Sequence, residues 1–402
     1  MTAAPDIPTF LRRAGEFDPD PDTAALRDGA GIARVATPFG YDAWMITRHA
    51  DARAVLADSR RFSVAVSGDR ADATPDAGMT DADLARERAG DLMSHDPPEH
   101  TRLRRLLTPA FTGRQVRLLE PWIESVVADH LDVMERTGPP ADLVESFALP
   151  VPLLVICELL GVPYGDRADF RHLSLRPLDL TLPRSERTAA FRELRGYMTS
   201  LAARVRADPG DGLLGAIVRD HGDEVTLDEL SGIGHLLLFA GHETTATMLA
   251  LGTLALLRHP DQLRIVRDRP DRVEGAVEEL LRWHTILNIV TPRVATEPVT
   301  LVGHRVAAGD MVLVALPAAN RDPALLRDPE TLDVNRGATG HIAFGHGAHH
   351  CVGAPLARAE LRIALPALLR RFPALRLADP GAAVEFRPPG IVHGVARLPV
   401  AW

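Results

Sequence analysis

Between Phe344 and Gly353 the chain reads F-G-H-G-A-H-H-C-V-G, and it continues into the apolar-periodic segment A-P-L-A-R-A-E-L-R-I-A-L. A lone cysteine is thereby set at the start of a helix. Gly345 and Gly347 permit backbone angles that a side chain forbids, so the loop is expected to fold back and aim amide N–H groups at the sulfur of Cys351. Pro355 suits the opening turn of the following helix, whose positive dipole end favours a thiolate over a thiol. The pattern predicts a sulfur prepared to bind metal.

Three chemistries compete for such a loop. Structural zinc would use His346, His349, His350 and Cys351, but adjacent residues seldom converge on one tetrahedral ion, and no second C-x-x-C or H-x-x-x-H supplies the rest. Dinucleotide binding fails at the third glycine position, which is His350, and a helix after an irregular loop is not a βαβ unit. The third is a haem iron held by a cysteine thiolate, with flanking apolar surface covering one porphyrin face. Here the stretch resembles the haem-binding signature of the cytochrome P450 family, F-x-x-G-x-x-x-C-x-G, in which Phe344, Gly347, Cys351 and Gly353 fill all four positions. The resemblance implies heme b as cofactor and Cys351 as its axial ligand. It further implies that Phe344, Gly345 and Gly353 form the haem-side loop and that His349 partners a propionate.

Composition narrows the class. No Gly/Ser linker or charge block divides the 402 residues, so a single domain spanning 1–402 is expected, and 46% hydrophobic residues suffice for a large core. A net charge of −9 offers no general attraction to nucleic acid or anionic lipid. No tripartite leader opens the chain, and the longest apolar run, Val151 to Cys157, contains Pro152 and ends at Glu158. A cytoplasmic protein without a membrane span is expected. Cys157 lies in the apolar run L-L-V-I-C-E-L-L and is most simply a core residue, so no disulfide framework is expected. All 45 basic residues are arginine, which points to G+C-rich coding DNA.

Taken in order, Gly31 to Ser63 alternates like a strand pair and then turns helical. Val64 to Met93 lacks periodicity and reads as a long binding loop. At D-P-P-E-H-T-R-L-R, Asp96 reads as an N-cap, Pro97 as the first helical residue and Glu99 as the closing member of a capping box. His100 and Arg104 share a face of that helix, either as a solvated basic stripe or as a grip on one carboxylate. Thr226 and Glu229 form a second capping box, opening a helix Leu227 to Arg258 of about 48 Å. In its middle stands A-G-H-E-T-T, where the Thr244 hydroxyl can reach the Ala240 carbonyl and Ala240 and Gly241 remove side-chain bulk. H-E-T-T-A lacks the second histidine of a zinc-protease motif. Glu279 and Arg282 stand one turn apart. From Pro292 a β-rich corner follows, and after the cysteine helix the tail reads as short strands around V-E-F and I-V-H-G-V.

The family resemblance gives these features roles. A-G-H-E-T-T is similar to its oxygen-binding motif, with Thr244 and Glu243 delivering protons and Ala240 and Gly241 against the haem. His100, Arg104 and Arg293 look like propionate partners. Glu279 and Arg282 match the buried E-x-x-R pair, although Thr331 stands where a third, arginine member is usual, and Arg336 is the candidate substitute. The fold implied is mainly α with a smaller β-rich region, haem lying between the long central helix and the cysteine-loop helix.

The implied activity is a haem-thiolate monooxygenase inserting one atom of dioxygen into a bulky, largely apolar natural product of polyketide, macrolide or terpenoid type. Leu236, Phe239, Asn288 and Ile289 are the candidate substrate contacts, with Asn288 either an orienting group or a strand-end residue satisfied by backbone. With no flavin or nicotinamide motif present, electrons must come from ferredoxin and ferredoxin reductase. Arg102, Arg105, Arg114, Arg117, Arg358 and Arg362 form either a basic dock for that partner or a solvated set. The rivals are a haem-based sensor that never turns over and a peroxide-driven peroxygenase, which would not need Glu243 and Thr244.

Overall fold

The computed structural model describes residues 9–37, 41–65, 80–167, 170, 173, 176 and 182–402. Its axis is the helix Leu227–Arg258, 32 residues long. The expected capping box closes it at the start: the Glu229 amide donates to Thr226 Oγ1 at 3.1 Å, and the Thr226 amide donates to Glu229 Oε2 at 2.7 Å. At the far end His259 caps the last turn, and Pro260, which cannot continue the ladder, opens the next helix, Pro260–Asp268. From Thr245 to Leu256 every residue of the central helix is buried. That segment is surrounded rather than amphipathic, as expected of a helix crossing the core.

Around it pack Pro150–Leu160, Arg184–Ala207, Val273–His284 and the cysteine helix Ala354–Arg371, which in turn lies along Gly113–Thr137. No helix among the described residues is long and apolar enough to cross a membrane.

The β-rich corner is a five-stranded sheet in the order Ile32–Ala36, Asp42–Ile46, Met311–Val314, Arg293–Ala295, Phe62–Ser63. Met311 pairs in parallel with Ala43, and the other pairings are antiparallel. Because side chains alternate along a strand, Val312 and Val314 join one apolar layer with Ile32 and Ile46, while Met311 and Leu313 join another with Ala43, Met45 and Ile289.

Three expectations are corrected, and one segment departs from regular helix. Asp96 caps no helix: its carboxylate accepts from the Ser63 hydroxyl and the Val64 amide, and the helix Glu99–Leu107 starts after Pro98 without a side-chain cap. The stretch from Val64 to Met93 is not all loop, since Asp81–Arg88 is helical and Leu92–Ser94 forms a further turn; residues 66–79 lie outside the described residues. Backbone contact explains part of that order, because a Cβ on Gly232 of the central helix would collide with the Ala89 carbonyl. L-V-E-S-F-A does not run on into the next helix as one regular element but forms a wide turn, Val144–Ala148, ahead of Pro150. The tail segments V-E-F and I-V-H-G-V meet through the single bridge Phe386↔Val395, while the strands proper are Arg376–Leu377 and Pro399–Ala401.

Candidate active site

The loop before Cys351 is tight for the reason its glycines suggested. Gly345 and Gly347 adopt φ of +72° and +75°, and a Cβ on Gly347 would run into the backbone of Leu56 and Ala57. The Cys351 amide donates to the Phe344 carbonyl at 2.9 Å, closing the loop. The donors that reach the sulfur are not those of the glycine loop, however. They are the amides of Gly353 and Ala354 at the start of the cysteine helix, with the Arg104 and Arg358 guanidiniums nearby. Cys351 is exposed, yet enough protein crowds it that burial outweighs these donors and pushes its thiol above the ordinary value. The helix start lowers the cost of deprotonation, as its dipole end suggested, and a bound metal would supply the rest. Cys157, by contrast, is fully buried, and desolvation raises its thiol to about 12.

Arg358 lies 4.6 Å over the Phe344 ring and is held by Glu278 at 2.6 Å, which also pairs with His341. Those two hydrogen-bonded partners overcome burial and hold the Glu278 carboxyl down to about 2. Beneath the loop, Glu279 and Arg282 pair at 2.8 Å with both side chains fully buried. Arg336 reaches Glu279 at 3.3 Å, so it completes the set in place of Thr331, whose backbone carbonyl accepts from Arg282.

Beside the cysteine loop, four basic groups from three elements converge, His100 and Arg104 from the helix Glu99–Leu107, Arg293 from a strand and His349 from the loop itself. The rings of His100 and His349 stand 4.2 Å apart, and neither Nε2 has a partner among the described residues although both are buried. Burial, with the charge of Arg293, drives His349 down to about 3. Burial also lowers Arg293 to about 10, and its guanidinium has found only the Thr291 carbonyl at 3.0 Å. Arg104 donates to the Ala348 carbonyl at 3.2 Å. Two orphaned ring nitrogens and two desolvated guanidiniums, each of the latter bonded to a backbone carbonyl through one nitrogen, make a cluster with unused hydrogen-bonding capacity among the described residues. A ligand bringing carboxylates beside an iron facing Cys351 fits this arrangement, as the two propionates of haem would.

On the central helix, the Thr244 hydroxyl donates to the Ala240 carbonyl at 2.7 Å, as anticipated, and Ala240 is exposed. Gly241 faces Ile156 of Pro150–Leu160, where a Cβ would sit 3.4 Å from Ile156 Cδ1, an ordinary contact. The Glu243 carboxylate accepts from Arg387 Nη1 at 2.7 Å. Burial raises the Glu243 carboxyl above its usual range against the pull of that guanidinium. Arg387 was invisible to sequence reasoning, since it stands 144 positions away with no local pattern to mark it.

The substrate candidates separate. Phe239 is 48% exposed and stands 6.3 Å from the ring of Phe191, itself 37% exposed. Leu236 is buried in the main core. Ile289 bridges Ala315 and lies in the buried layer of Met45 and Leu313. The Asn288 amide is taken at both ends, accepting from Arg13 Nε at 2.9 Å and donating to the Gly390 carbonyl at 2.7 Å. Asn288 is thus engaged by other parts of the chain and Ile289 lies in a buried layer, while Phe191 and Ile391, the latter 47% exposed, are apolar surfaces that the sequence pattern did not single out.

The chain is similar to known proteins along nearly its whole length. The sequence model of the family described as Cytochrome P450 matches residues 202–380. Cytochrome P450 165B3 of Amycolatopsis orientalis is 45% identical over 98% of both chains. Pentalenic acid synthase of Streptomyces avermitilis is 42% identical over 97% of this chain and 96% of its own. Among solved structures, P450 StaH from glycopeptide antibiotic A47934 biosynthesis superposes with a TM-score of 0.89 at 47% identity, covering 98% of this chain and 100% of that one.

Proposed function

Because the chain belongs to the cytochrome P450 family and is a haem-dependent monooxygenase, we propose that it oxidises a bulky, largely apolar natural product with electrons from ferredoxin and ferredoxin reductase. The observation that carries the substrate class is the set Phe191, Phe239 and Ile391, large apolar side chains left 37%, 48% and 47% exposed on a helix beside the central helix, on that helix itself and in the C-terminal tail. Apolar area of this kind binds by burial and asks for few hydrogen bonds. Two similar proteins bear names from natural-product biosynthesis, pentalenic acid synthase and the glycopeptide antibiotic P450.

Cys351 would hold the iron through its sulfur, and His100, Arg104, Arg293 and His349 would take the propionates. When bound, the haem supplies activation of dioxygen and cleavage of its O–O bond, one atom going to the substrate and the other to water. That reaction consumes two protons and two electrons. Thr244 keeps a hydroxyl beside Ala240, and Glu243 holds a carboxyl one residue away, so both can carry protons at the central helix. Gly353 and Ala354 direct their amides at the sulfur and temper its electron donation.

The test has two arms. Reduced protein treated with carbon monoxide should show the strongly red-shifted Soret band of thiolate ligation, and Cys351→Ser should abolish it; a wild-type band in that variant places the ligand elsewhere. Macrocycles, terpenoids and cyclic peptides should shift the optical spectrum at micromolar concentration. If only small polar acids or amines do so, the substrate class is wrong. Turnover with peroxide but not with ferredoxin would instead mark a peroxygenase.

A further inference from the structure

The C-terminal tail folds back on the central helix as a narrow hairpin. The Arg387 amide donates to the Gly394 carbonyl at 2.9 Å, the Ala396 amide donates to Glu385 at 2.7 Å, and Phe386 stacks on His393 at 5.0 Å. One arm lies so close to the central helix that a Cβ on Gly394 would stand 2.8 Å from Thr247 Cγ2. Its other side is tied to the segment 286–288: His393 donates to the Ile286 carbonyl and Asn288 donates to the Ile391 carbonyl, each at 2.8 Å. Ile391, near the turn, is left 47% exposed. The hairpin therefore touches the central helix one turn beyond Thr244 while presenting an apolar side chain for a ligand to press on.

What it carries to the helix is one charge. Arg387 pairs with Glu243 at 2.7 Å, the two side chains 20% and 15% exposed. Among the described residues no other charged side chain is found to bear on that carboxyl. The adjacent His242 puts its Nε2 at 3.1 Å from the Leu149 carbonyl, and burial, with the charge of Arg387, keeps it neutral. A carboxylate bound to a guanidinium cannot donate a proton, and an arginine does not lose its own.

We propose that Arg387 is a positioning residue that holds Glu243 ionised and withdrawn, and that the tail hairpin, displaced by a ligand against Ile391, opens this pair so that Glu243 carries protons only when the site is filled. This rests on the reading of Glu243 as a proton carrier. In the open arrangement the Glu243 carboxylate takes a proton from water, favoured by its partly desolvated surroundings. It then passes that proton to Thr244 Oγ1 as the hydroxyl gives its own proton to the oxygen atom that leaves as water, restoring the carboxylate and the hydroxyl. The guanidinium stays protonated throughout, so one proton enters and one leaves per cycle.

The experiment compares Arg387→Gln, Arg387→Lys, Glu243→Gln and the double variant Arg387→Gln/Glu243→Gln in the haem-loaded protein. Infrared difference spectroscopy of the carboxyl band, with Glu243→Gln as the blank, should place the Glu243 midpoint about one pH unit or more higher in Arg387→Gln. The pH profile of product formed per electron should move up with it. Arg387→Lys should return both midpoints toward wild type, and Arg387→Gln should change nothing further in the Glu243→Gln background. Macrocycle or terpenoid ligands should raise the midpoint in the wild type and not in Arg387→Gln. If Arg387→Gln lowers the thermal midpoint but leaves the carboxyl and the pH profile in place, Arg387 only anchors the hairpin and the proposal fails while the reading of Glu243 stands. If Glu243→Gln itself leaves product per electron and its pH profile unchanged, that reading fails and takes the proposal with it.

Discussion

At the scale of a residue, the Thr244 hydroxyl separates two kinds of effect. It bonds the carbonyl of Ala240 at 2.7 Å on an accessible part of the helix, so its loss removes one local contact from a position where alanine has the higher helix propensity. Thr244→Ala should therefore leave thermal stability within about 0.5 kcal/mol of wild type and haem binding intact. Product per electron should fall several-fold, with the missing electrons recovered as peroxide. Wild-type coupling in that variant would reduce Thr244 to a packing residue. His242, two positions earlier, tests a different property. Burial pushes its ring down to about 4, so in the unfolded chain, where it titrates near 6.5, it binds a proton that the folded chain refuses. Its contribution is present above pH 6.5 and is lost as pH falls toward 4. His242→Gln, which keeps a donor toward the Leu149 carbonyl, should flatten that part of the stability profile in thermal melts at stepped pH.

At the scale of an element, the helix Val273–His284 exists to bury a charge pair. Glu279 accepts from Arg282 through both oxygens at 2.8 Å, and Arg282 spends its remaining donors on the carbonyls of Asn320, Pro329 and Thr331. Removing one member strands the other in the core, which typically costs about 3–5 kcal/mol. Arg282→Ala should thus leave little folded, haem-loaded protein. Arg336 bonds Glu279 from a partly solvated place, 19% exposed, and donates to the Arg327 carbonyl at 2.6 Å. Arg336→Ala should cost about 1–2 kcal/mol in denaturant melts, less than Arg282→Ala, because water can replace the lost donor. Equal effects of the two substitutions would mean that Arg336 is as much a member of the buried set as Arg282.

At the scale of the whole molecule, the proposed ferredoxin partner would have to dock on a chain whose net charge is −9. Of the six arginines expected to border the cysteine face, Arg102 is paired with Glu99 and Glu229, Arg358 with Glu278 and Arg362 with Glu120. Pairing removes much of their attraction for a partner. Arg105, Arg114 and Arg117 remain exposed, with no ion pair among the described residues, on elements that flank the cysteine loop. Glutamine at Arg114 and Arg117 together should raise the apparent KM for ferredoxin several-fold at low salt, a difference that closes as ionic strength approaches about 1 M. Arg102→Gln should act on stability rather than on that KM. The reverse pattern, with Arg102 governing the salt-dependent KM, would move the dock to the N-terminal end of the central helix.

Backbone punctuation and periodic patterns could be read directly. Thr226 and Glu229 placed the start of the central helix, His259 and Pro260 its end, and Gly345 and Gly347 the tight loop before Cys351, because caps, proline and positive φ act within a few residues of the chain. The same locality misled at Asp96, whose carboxylate had a better use in binding the amide of Val64 from another segment than in capping its own helix. Nothing in the sequence could say which donors reach the Cys351 sulfur, that Asn288 is clasped by Arg13, or that Glu243 is paired with Arg387. Those partners lie 275 and 144 positions apart in the last two cases. Charge pairing and desolvation depend on distance through space, and only the packing of the tail hairpin, the N-terminal segment and the central helix against one another brings these groups together.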